Sequence, residues 1–253
     1  MLDISYITID KLTKDEERRL YVYVPDNVSG PFPVLYMFDG HNVFLDEDAS
    51  YGKSWGMLEF LQENNVPLMV VGVECNHHPE SDKCGGRLSE YSPFDFRDPE
   101  FGSIKGRGKI TMDFFVKELK PFIDDNYPSL PEREYTFIGG SSMGGLMTIY
   151  ALCKYNKYFS RGAALSPSVG FSSMKVMNMI KETKFRKDTI LYMDYGENEL
   201  KYGNTNKIYG KVSSLLINKN VLLDSRIVPN GNHNEESWEK QVPFFMETLF
   251  YEL

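Results

Sequence analysis

The sequence predicts an α/β fold in which a mostly parallel sheet of about eight strands carries helices on both faces. Short runs rich in β-branched and aromatic residues alternate with longer stretches of helical periodicity, which is the pattern of a sheet with crossover helices. No internal repeat, low-complexity tract or polar linker divides the 253 residues. We therefore expect residues 1–253 to form a single domain, a common length for one α/β unit.

The strands follow from short apolar runs. The first two lie close together in the chain, so we expect them to pair as an antiparallel opening to the sheet. The later ones are apolar runs of four to seven residues bounded by turn residues, which is typical of buried strands. The predicted strands are Ile4–Ile9, Leu20–Val24, Val34–Phe38, Leu68–Val73, Tyr135–Ile138, Gly162–Leu165, Thr189–Tyr195 and Asp224–Val228.

Four helices are predicted from apolar residues that recur on one helix face. The first covers Thr111–Tyr127, where Pro121 is expected to bend it. The others are Met143–Tyr155, a helix near Ile208–Ile217, and a closing helix at Glu235–Tyr251. Periodicity alone permits several α/β topologies, flavodoxin-like and Rossmann sheets among them, so the motifs must decide.

The segment 75–109 is long, polar and rich in Gly, Pro, Asp and Ser. Loops of this length inside a compact domain are uncommon, and they usually have a function or are mobile. Because the segment follows a strand, it should emerge at the carboxyl edge of the sheet, where open α/β folds bind ligands. We expect it to form a rim or lid of the site; the alternative is a solvated insertion without a role.

The composition of the chain limits which binding partners and which cellular compartment we expect. A formal net charge of −8 without a basic stripe argues against nucleic acid or an anionic membrane as the main partner. The N-terminal residues do not resemble a signal peptide, and no apolar run reaches the length of about 18 residues that a membrane span needs. The odd, sparse cysteine count (Cys75, Cys84 and Cys153) indicates a reducing compartment. We expect a cytoplasmic protein, and the sequence leaves open whether it forms a homo-oligomer.

The segment Gly140-Ser141-Ser142-Met143-Gly144 has the spacing G-x-S-x-G. In the nucleophile elbow of α/β-hydrolases, the serine lies on a strained strand-to-helix turn, and the residues two before and two after it crowd together. Ser142 has glycine at both distances, whereas Ser141 would need glycine at position 143. A glycine-rich turn that only packs tightly or cradles a phosphate is the alternative, but the Walker A lysine and the G-x-G-x-x-G spacing are both missing. The motif therefore predicts Ser142 as a nucleophile.

A serine hydroxyl needs a base that takes its proton. In this fold the partners follow the serine in the order acid, then histidine. Of the four histidines in the chain, His233 is the one that follows Ser142, and it lies between the last predicted strand and the closing helix. Position and elimination together predict His233 as the base.

The acid that orients the imidazole should lie just past the strand Thr189–Tyr195. Asp194, Glu197 and Glu199 are the candidates. Asp194 falls within the strand, and spacing does not separate the two glutamates, either of which could be a solvated loop charge instead.

The oxyanion of the tetrahedral intermediate needs backbone donors. One is expected from the residue after the nucleophile, Met143, and the other from the loop after the third strand. That loop contains Gly40, which permits a tight turn, and the N–H of His41 is the candidate. Such a site needs no metal and no organic cofactor.

With these motifs, the chain resembles the putative esterase family of α/β-hydrolases, which includes esterase D-like, feruloyl and enterochelin-type esterases and mycolyltransferases. The resemblance covers nearly the whole chain and implies the α/β-hydrolase fold. In the family pattern Asp-x-Gly-x-x-[Asp/Glu], the last acid belongs to the triad, so the resemblance assigns that role to Glu199, a glutamate where aspartate is commoner. It also implies that the N–H of His41 serves the oxyanion hole. The resemblance depends on the segments 36–44, 87–93, 114–121, 139–145, 194–199 and 231–233 and on Trp238.

The resemblance implies a serine carboxylic ester hydrolase that acts through an acyl-enzyme intermediate on a small ester. Acetylated or feruloylated sugars and siderophore esters are candidate substrates. The alternatives are an acyltransferase, a thioesterase similar to S-formylglutathione hydrolase, and a non-catalytic binding protein that retains the fold.

Overall fold

A computed structural model describes residues 1–76 and 86–253. Its strands are β1 (Leu2–Thr8), β2 (Glu17–Tyr23), β3 (Val34–Phe38), β4 (Met69–Val73), β5 (Phe96–Asp98), β6 (Gly102–Ile104), β7 (Thr136–Ser141), β8 (Arg161–Leu165), β9 (Ile190–Gly196) and β10 (Leu222–Val228). Eight of them form one sheet in the order β1-β2-β4-β3-β7-β8-β9-β10. β5 and β6 pair separately as an antiparallel hairpin.

The sheet is antiparallel only at one end. β2 pairs antiparallel with both β1 and β4. From β4 to β10 every neighbouring pair is parallel. The expected mostly parallel sheet of eight strands, with its antiparallel opening pair, is confirmed.

Helices cover both faces of the sheet. They are α1 (Asp10–Thr13), α2 (Met57–Glu63), α3 (Arg87–Glu90), α4 (Gly108–Phe114), α5 (Lys120–Asn126), α6 (Met143–Lys154), α7 (Ser173–Glu182), α8 (Thr205–Asn218), α9 (Glu235–Glu239) and α10 (Val242–Leu249). The two faces bury separate hydrophobic clusters, and the five residues of β3 alternate between them. Because successive side chains of a strand point to opposite faces, a central strand buried on both sides appears as an unbroken apolar run.

The helix expected over Thr111–Tyr127 is continuous but irregular. Between α4 and α5 the residues Phe115–Leu119 form a π-helical turn, and the Lys120 N–H donates to the Phe115 carbonyl. This turn ends just before Pro121, whose ring would clash with a carbonyl of the preceding regular turn and which has no N–H to donate. The wider turn accommodates the proline within the helix.

The prediction of one closing helix over Glu235–Tyr251 is wrong. The chain forms α9 and α10, separated at Lys240 and Gln241, and Pro243 lies in the first turn of α10. Proline favours the start of a helix because the N–H that it lacks has no intrahelical acceptor there.

The described part of segment 75–109 is more ordered than the sequence suggests. It contains α3 and the β5–β6 hairpin and runs into α4. Residues 77–85 of this expected rim, Cys84 among them, lie outside the described residues. Across the residues that the structure covers, no helix combines the length and the apolar character needed to cross a membrane.

Candidate active site

Ser142 lies at the sharp turn between β7 and α6. Its backbone has φ 57° and ψ −117°, a conformation that costs an L-residue free energy and that often marks a functional position. A Cβ atom placed on Gly140 would lie 3.1 Å from the backbone of Gly144. A Cβ atom on Gly144 would lie 3.0 Å from the Phe38 side chain, so both positions leave little room for a side chain, as the motif requires.

The surroundings of the elbow hold Ser142 in place. Its N–H donates to the Leu165 carbonyl at 2.9 Å, and its carbonyl accepts the Ser168 N–H at 2.9 Å. Its hydroxyl contacts the Ser168 hydroxyl at 3.1 Å. Ser168 was not identified from the sequence; the available signal was its position three residues beyond β8, the strand next to β7 in the sheet.

His233 and Glu199 are brought together from two different loops. The Nδ1 of His233 lies 2.5 Å from Oε2 of Glu199. The other carboxylate oxygen, Oε1, accepts from the Ser166 hydroxyl at 2.6 Å and from the Gly196 N–H at 2.8 Å. The Ser166 hydroxyl in turn accepts from the indole N–H of Trp238 at 3.0 Å. This network fixes the carboxylate behind the imidazole.

The two loops meet through glycines. A Cβ atom on Gly196, at the end of β9, would lie 2.4 Å from the backbone of Gly231, which follows β10. The Asn198 N–H also donates to the Gly231 carbonyl at 3.1 Å. Backbones this close bring the loop of Glu199 against the loop of His233.

The electrostatics of the two nearby acids differ. Burial opposes ionisation of Glu199, but the hydrogen bonds from His233, Ser166 and Gly196 outweigh it and hold its pKa below the usual value. Burial also dominates at Asp194 and raises the pKa of this carboxyl to about 7, although Ser166 and Tyr192 donate hydrogen bonds to it. Glu197 is exposed, and its carboxylate accepts from the Asn230 N–H at 3.0 Å.

The candidate oxyanion donors lie at the ends of neighbouring strands. His41 belongs to a short 3-10 turn directly after β3, and its imidazole Nε2 lies 2.9 Å from the Ser50 hydroxyl. Met143 is the first residue of α6, so its N–H lies at the positive end of a 12-residue helix. Because β3 and β7 are adjacent and parallel, both residues lie at the same edge of the sheet.

A partly buried ion pair connects this edge to α3. The Arg87 guanidinium binds both carboxylate oxygens of Asp39 at 2.7 Å and lies 3.5 Å from the Ser141 carbonyl. Burial would raise the pKa of Asp39, but Arg87 outweighs it and lowers the pKa. The sequence marked Arg87 only as part of a family-like segment, because nothing local indicates a partner 48 residues away.

Asp39 also belongs to a group that resembles a metal-ligand set. Donor atoms of Asp39, His41 and Cys75 lie within 4.8 Å of one another. Arg87 already binds both oxygens of Asp39, and burial raises the pKa of the Cys75 thiol well above its usual value, so the thiol keeps its proton. Metal binding would require that proton to leave and the ion pair to break.

Two cavities meet at His233. One, of about 310 Å³, is also lined by Ser142, Arg87, Tyr51 and Trp238. The other, of about 570 Å³, is lined by Glu199 and Ser168 and by residues of the β5–β6 hairpin. His233 therefore lines both cavities, and it shares one with Ser142 and the other with Glu199.

Comparison with known proteins points to one family. The family model described as "Putative esterase" matches residues 13–249. Among curated proteins, "Uncharacterized protein YbbA" of Bacillus subtilis is 26% identical over 165 residues, which are 63% of this chain and 60% of that protein. The siderophore triacetylfusarinine C esterase of Aspergillus fumigatus is 24% identical over 163 residues, 61% of this chain and 51% of that protein. The match thus spans less than two thirds of either relative.

A solved structure shares the fold over nearly the whole of this chain. The IroE-like serine hydrolase from Shewanella oneidensis superposes with a TM-score of 0.74 at 20% sequence identity, covering 98% of this chain and 79% of that one.

Proposed function

The chain belongs to the putative esterase family, and we propose that it is a serine carboxylic ester hydrolase that forms an acyl-enzyme intermediate with a small ester. The observation that carries the proposal is the 2.5 Å hydrogen bond between Glu199 and His233, beside a serine held on a strained turn. A carboxylate on Nδ1 fixes the tautomer in which Nε2 accepts a proton.

In the proposed reaction, Ser142 Oγ attacks the ester carbonyl carbon while His233 Nε2 takes the hydroxyl proton. The protonated imidazole, stabilised by Glu199, returns the proton to the departing alcohol as the carbon–oxygen bond breaks. A water molecule then repeats the cycle on the acyl-enzyme and releases the acid. The N–H groups of His41 and Met143 are the proposed donors to the oxyanion at each tetrahedral stage.

The Ser142 hydroxyl must turn for this chemistry. It contacts Ser168 in this structure, whereas the reaction needs it to face His233, which lines the same cavity. Catalytic hydrogen bonds often tighten only when the substrate is bound. Ser168 thus supplies a resting partner for the nucleophile.

Labelling with a fluorophosphonate probe and turnover of p-nitrophenyl acetate test the proposal. We expect wild type to be labelled at Ser142 and Ser142→Ala to lose both labelling and at least ~10³-fold in kcat/KM. Ser168→Ala is the matched control, because it removes the neighbouring hydroxyl and should keep labelling and most activity. Activity retained in Ser142→Ala, or labelling that moves with Ser168, contradicts the assignment.

The proposed enzyme acts in the cytoplasm. The support is the sparse and odd cysteine count, which suits a reducing compartment, together with the buried thiol of Cys153. Recovery of the protein in the extracellular fraction of its source cells would contradict this.

A further inference from the structure

A positively charged side chain lines the larger cavity beside His233, and the proposed mechanism does not use it. Arg97, on β5, lines this cavity together with His233 and Glu199. Among the residues that line it, Arg97 is the one lysine or arginine. Across residues 1–76 and 86–253, its guanidinium has no hydrogen-bond or ion-pair partner within the protein, and the side chain is exposed.

The hairpin that carries Arg97 is packed onto the body of the protein. Phe96 is buried and stacks on Phe171 with ring centroids 4.8 Å apart. Phe101 packs edge-on against the same ring at 6.1 Å. Because neighbouring side chains of a strand point to opposite sides, burial of Phe96 directs Arg97 the other way. Arg97 is thus presented from an anchored element.

The acids that line this cavity are already engaged. Glu199 accepts hydrogen bonds from His233, Ser166 and Gly196. Asp98 accepts the N–H groups of Glu100 and Phe101 at 2.8 and 3.2 Å, which closes the turn of the hairpin. Neither carboxylate pairs with Arg97, so its positive charge remains available to a ligand.

Resting on the proposed ester hydrolysis, we propose that Arg97 selects esters that carry a carboxylate on the group occupying this cavity. A guanidinium presents donors in a planar fork that binds a carboxylate through two hydrogen bonds. The aromatic wall of Phe171, Tyr195 and Tyr202 provides apolar contact for the part of the substrate between the ester and its carboxylate. A cavity of about 570 Å³ has room for such a group.

Two matched substrate pairs test the proposal on either side of the ester bond. The acyl pair is mono-p-nitrophenyl adipate and its methyl ester, which differ in one terminal charge. The alcohol pair is 4-acetoxybenzoate and its methyl ester. The kcat/KM ratio of charged to neutral ester is measured for wild type, Arg97→Gln and Lys105→Gln, and comparing the ratios between proteins cancels the intrinsic reactivity of each ester.

We expect Arg97→Gln to lower the charged-to-neutral ratio about 10-fold or more in one of the two pairs, mainly through KM. Lys105→Gln removes the same charge at the exposed end of the hairpin, outside the cavity, and should leave the ratio unchanged. The pair that responds shows which side of the ester enters the cavity.

The inference is overturned if Arg97→Gln changes the charged-to-neutral ratio in neither pair. It is also overturned if Lys105→Gln lowers the ratio as much as Arg97→Gln does, since the effect would then be a general attraction between charges. In both of these outcomes wild type still hydrolyses the neutral esters, so the proposed function would stand. The absence of turnover of all four esters by wild type would contradict the proposed function itself.

Discussion

At the scale of single residues, the acid beside His233 shows what sequence spacing leaves undecided. Glu197 and Glu199 both follow β9 and differ by two positions. Only the fold determines that Glu199 faces the imidazole while Glu197 is exposed and accepts the Asn230 N–H. The family pattern favours Glu199 as the acid of the triad, and that role stays a prediction.

Substituting each glutamate separately tests the role of the acid. We expect Glu199→Gln to lower kcat by ~10³- to 10⁴-fold, because an amide on Nδ1 permits the wrong tautomer and does not stabilise the imidazolium. Esterase assays at pH 7 to 8 measure the effect.

Glu197→Gln is the matched control for that change, since it is the same substitution two residues away. Its kcat should remain close to wild type. If both variants were equally active, the carboxylate would have no part in the proposed chemistry.

Two other residues of the site could not be predicted because their partners are distant in sequence. Arg87 pairs with Asp39 across 48 residues, and Ser168 contacts Ser142 across 26. No local pattern records such a contact. By contrast, the glycines around Ser142 reflect a steric demand within five residues, which is why the elbow was visible.

At the scale of secondary-structure elements, the sequence predicts a strand best where both of its faces are buried. β3 was predicted with its observed bounds because a strand buried on both faces is a continuous apolar run. α7 was not predicted, although its buried Val176, Met179 and Ile180 do have helical spacing. The β5–β6 hairpin has three-residue strands, which are too short to show any alternation.

The junction after β9 and β10 gives a prediction at this scale. In Gly196→Ala the new methyl group would need the space of the Gly231 backbone, 2.4 Å away, so the loops must separate. We expect a loss of about 1–3 kcal/mol in the free energy of unfolding. kcat should fall by more than ~10-fold as Glu199 and His233 move apart.

Gly210→Ala provides the control because a Cβ atom there meets open space within α8. It should raise the free energy of unfolding by about 0.5–1 kcal/mol and leave kcat unchanged. Chemical denaturation and esterase assays measure both. Full activity in Gly196→Ala would show that the close approach does not position the acid and base.

At the scale of the whole molecule, the parallel sheet explains how residues from distant segments meet. Ser142 follows β7, Glu199 follows β9 and His233 follows β10, so all three emerge at the carboxyl edge. The sequence predicted this edge because it predicted the order of strands and helices. The motifs also predicted that the loops after β9 and β10 meet, but not the close backbone approach of Gly196 and Gly231 that brings them together.

The buried carboxyl of Asp194 makes the stability of the whole fold depend on pH. Its pKa is about 7 in the folded protein and 3.8 in the unfolded chain, so between these values the folded state binds the extra proton. This contribution is fully present below pH 3.8 and is lost as the pH rises through 7. Within that window the loss is about 1.4 kcal/mol per pH unit.

Asp194→Asn should remove this dependence. The amide oxygen can still accept the Ser166 N–H, and the amide nitrogen can donate to Tyr192, whose hydroxyl donates to Gln241. Urea unfolding at pH 5 and pH 8 measures the unfolding free energy of the variant and of wild type. We expect the variant to be more stable relative to wild type at pH 8 than at pH 5. Glu199, with its lowered pKa, loses stabilisation only in more acidic solution, so it does not mask the effect. A difference that stays constant between the two pH values would mean that Asp194 is ionised throughout, with a second full charge buried beside Glu199.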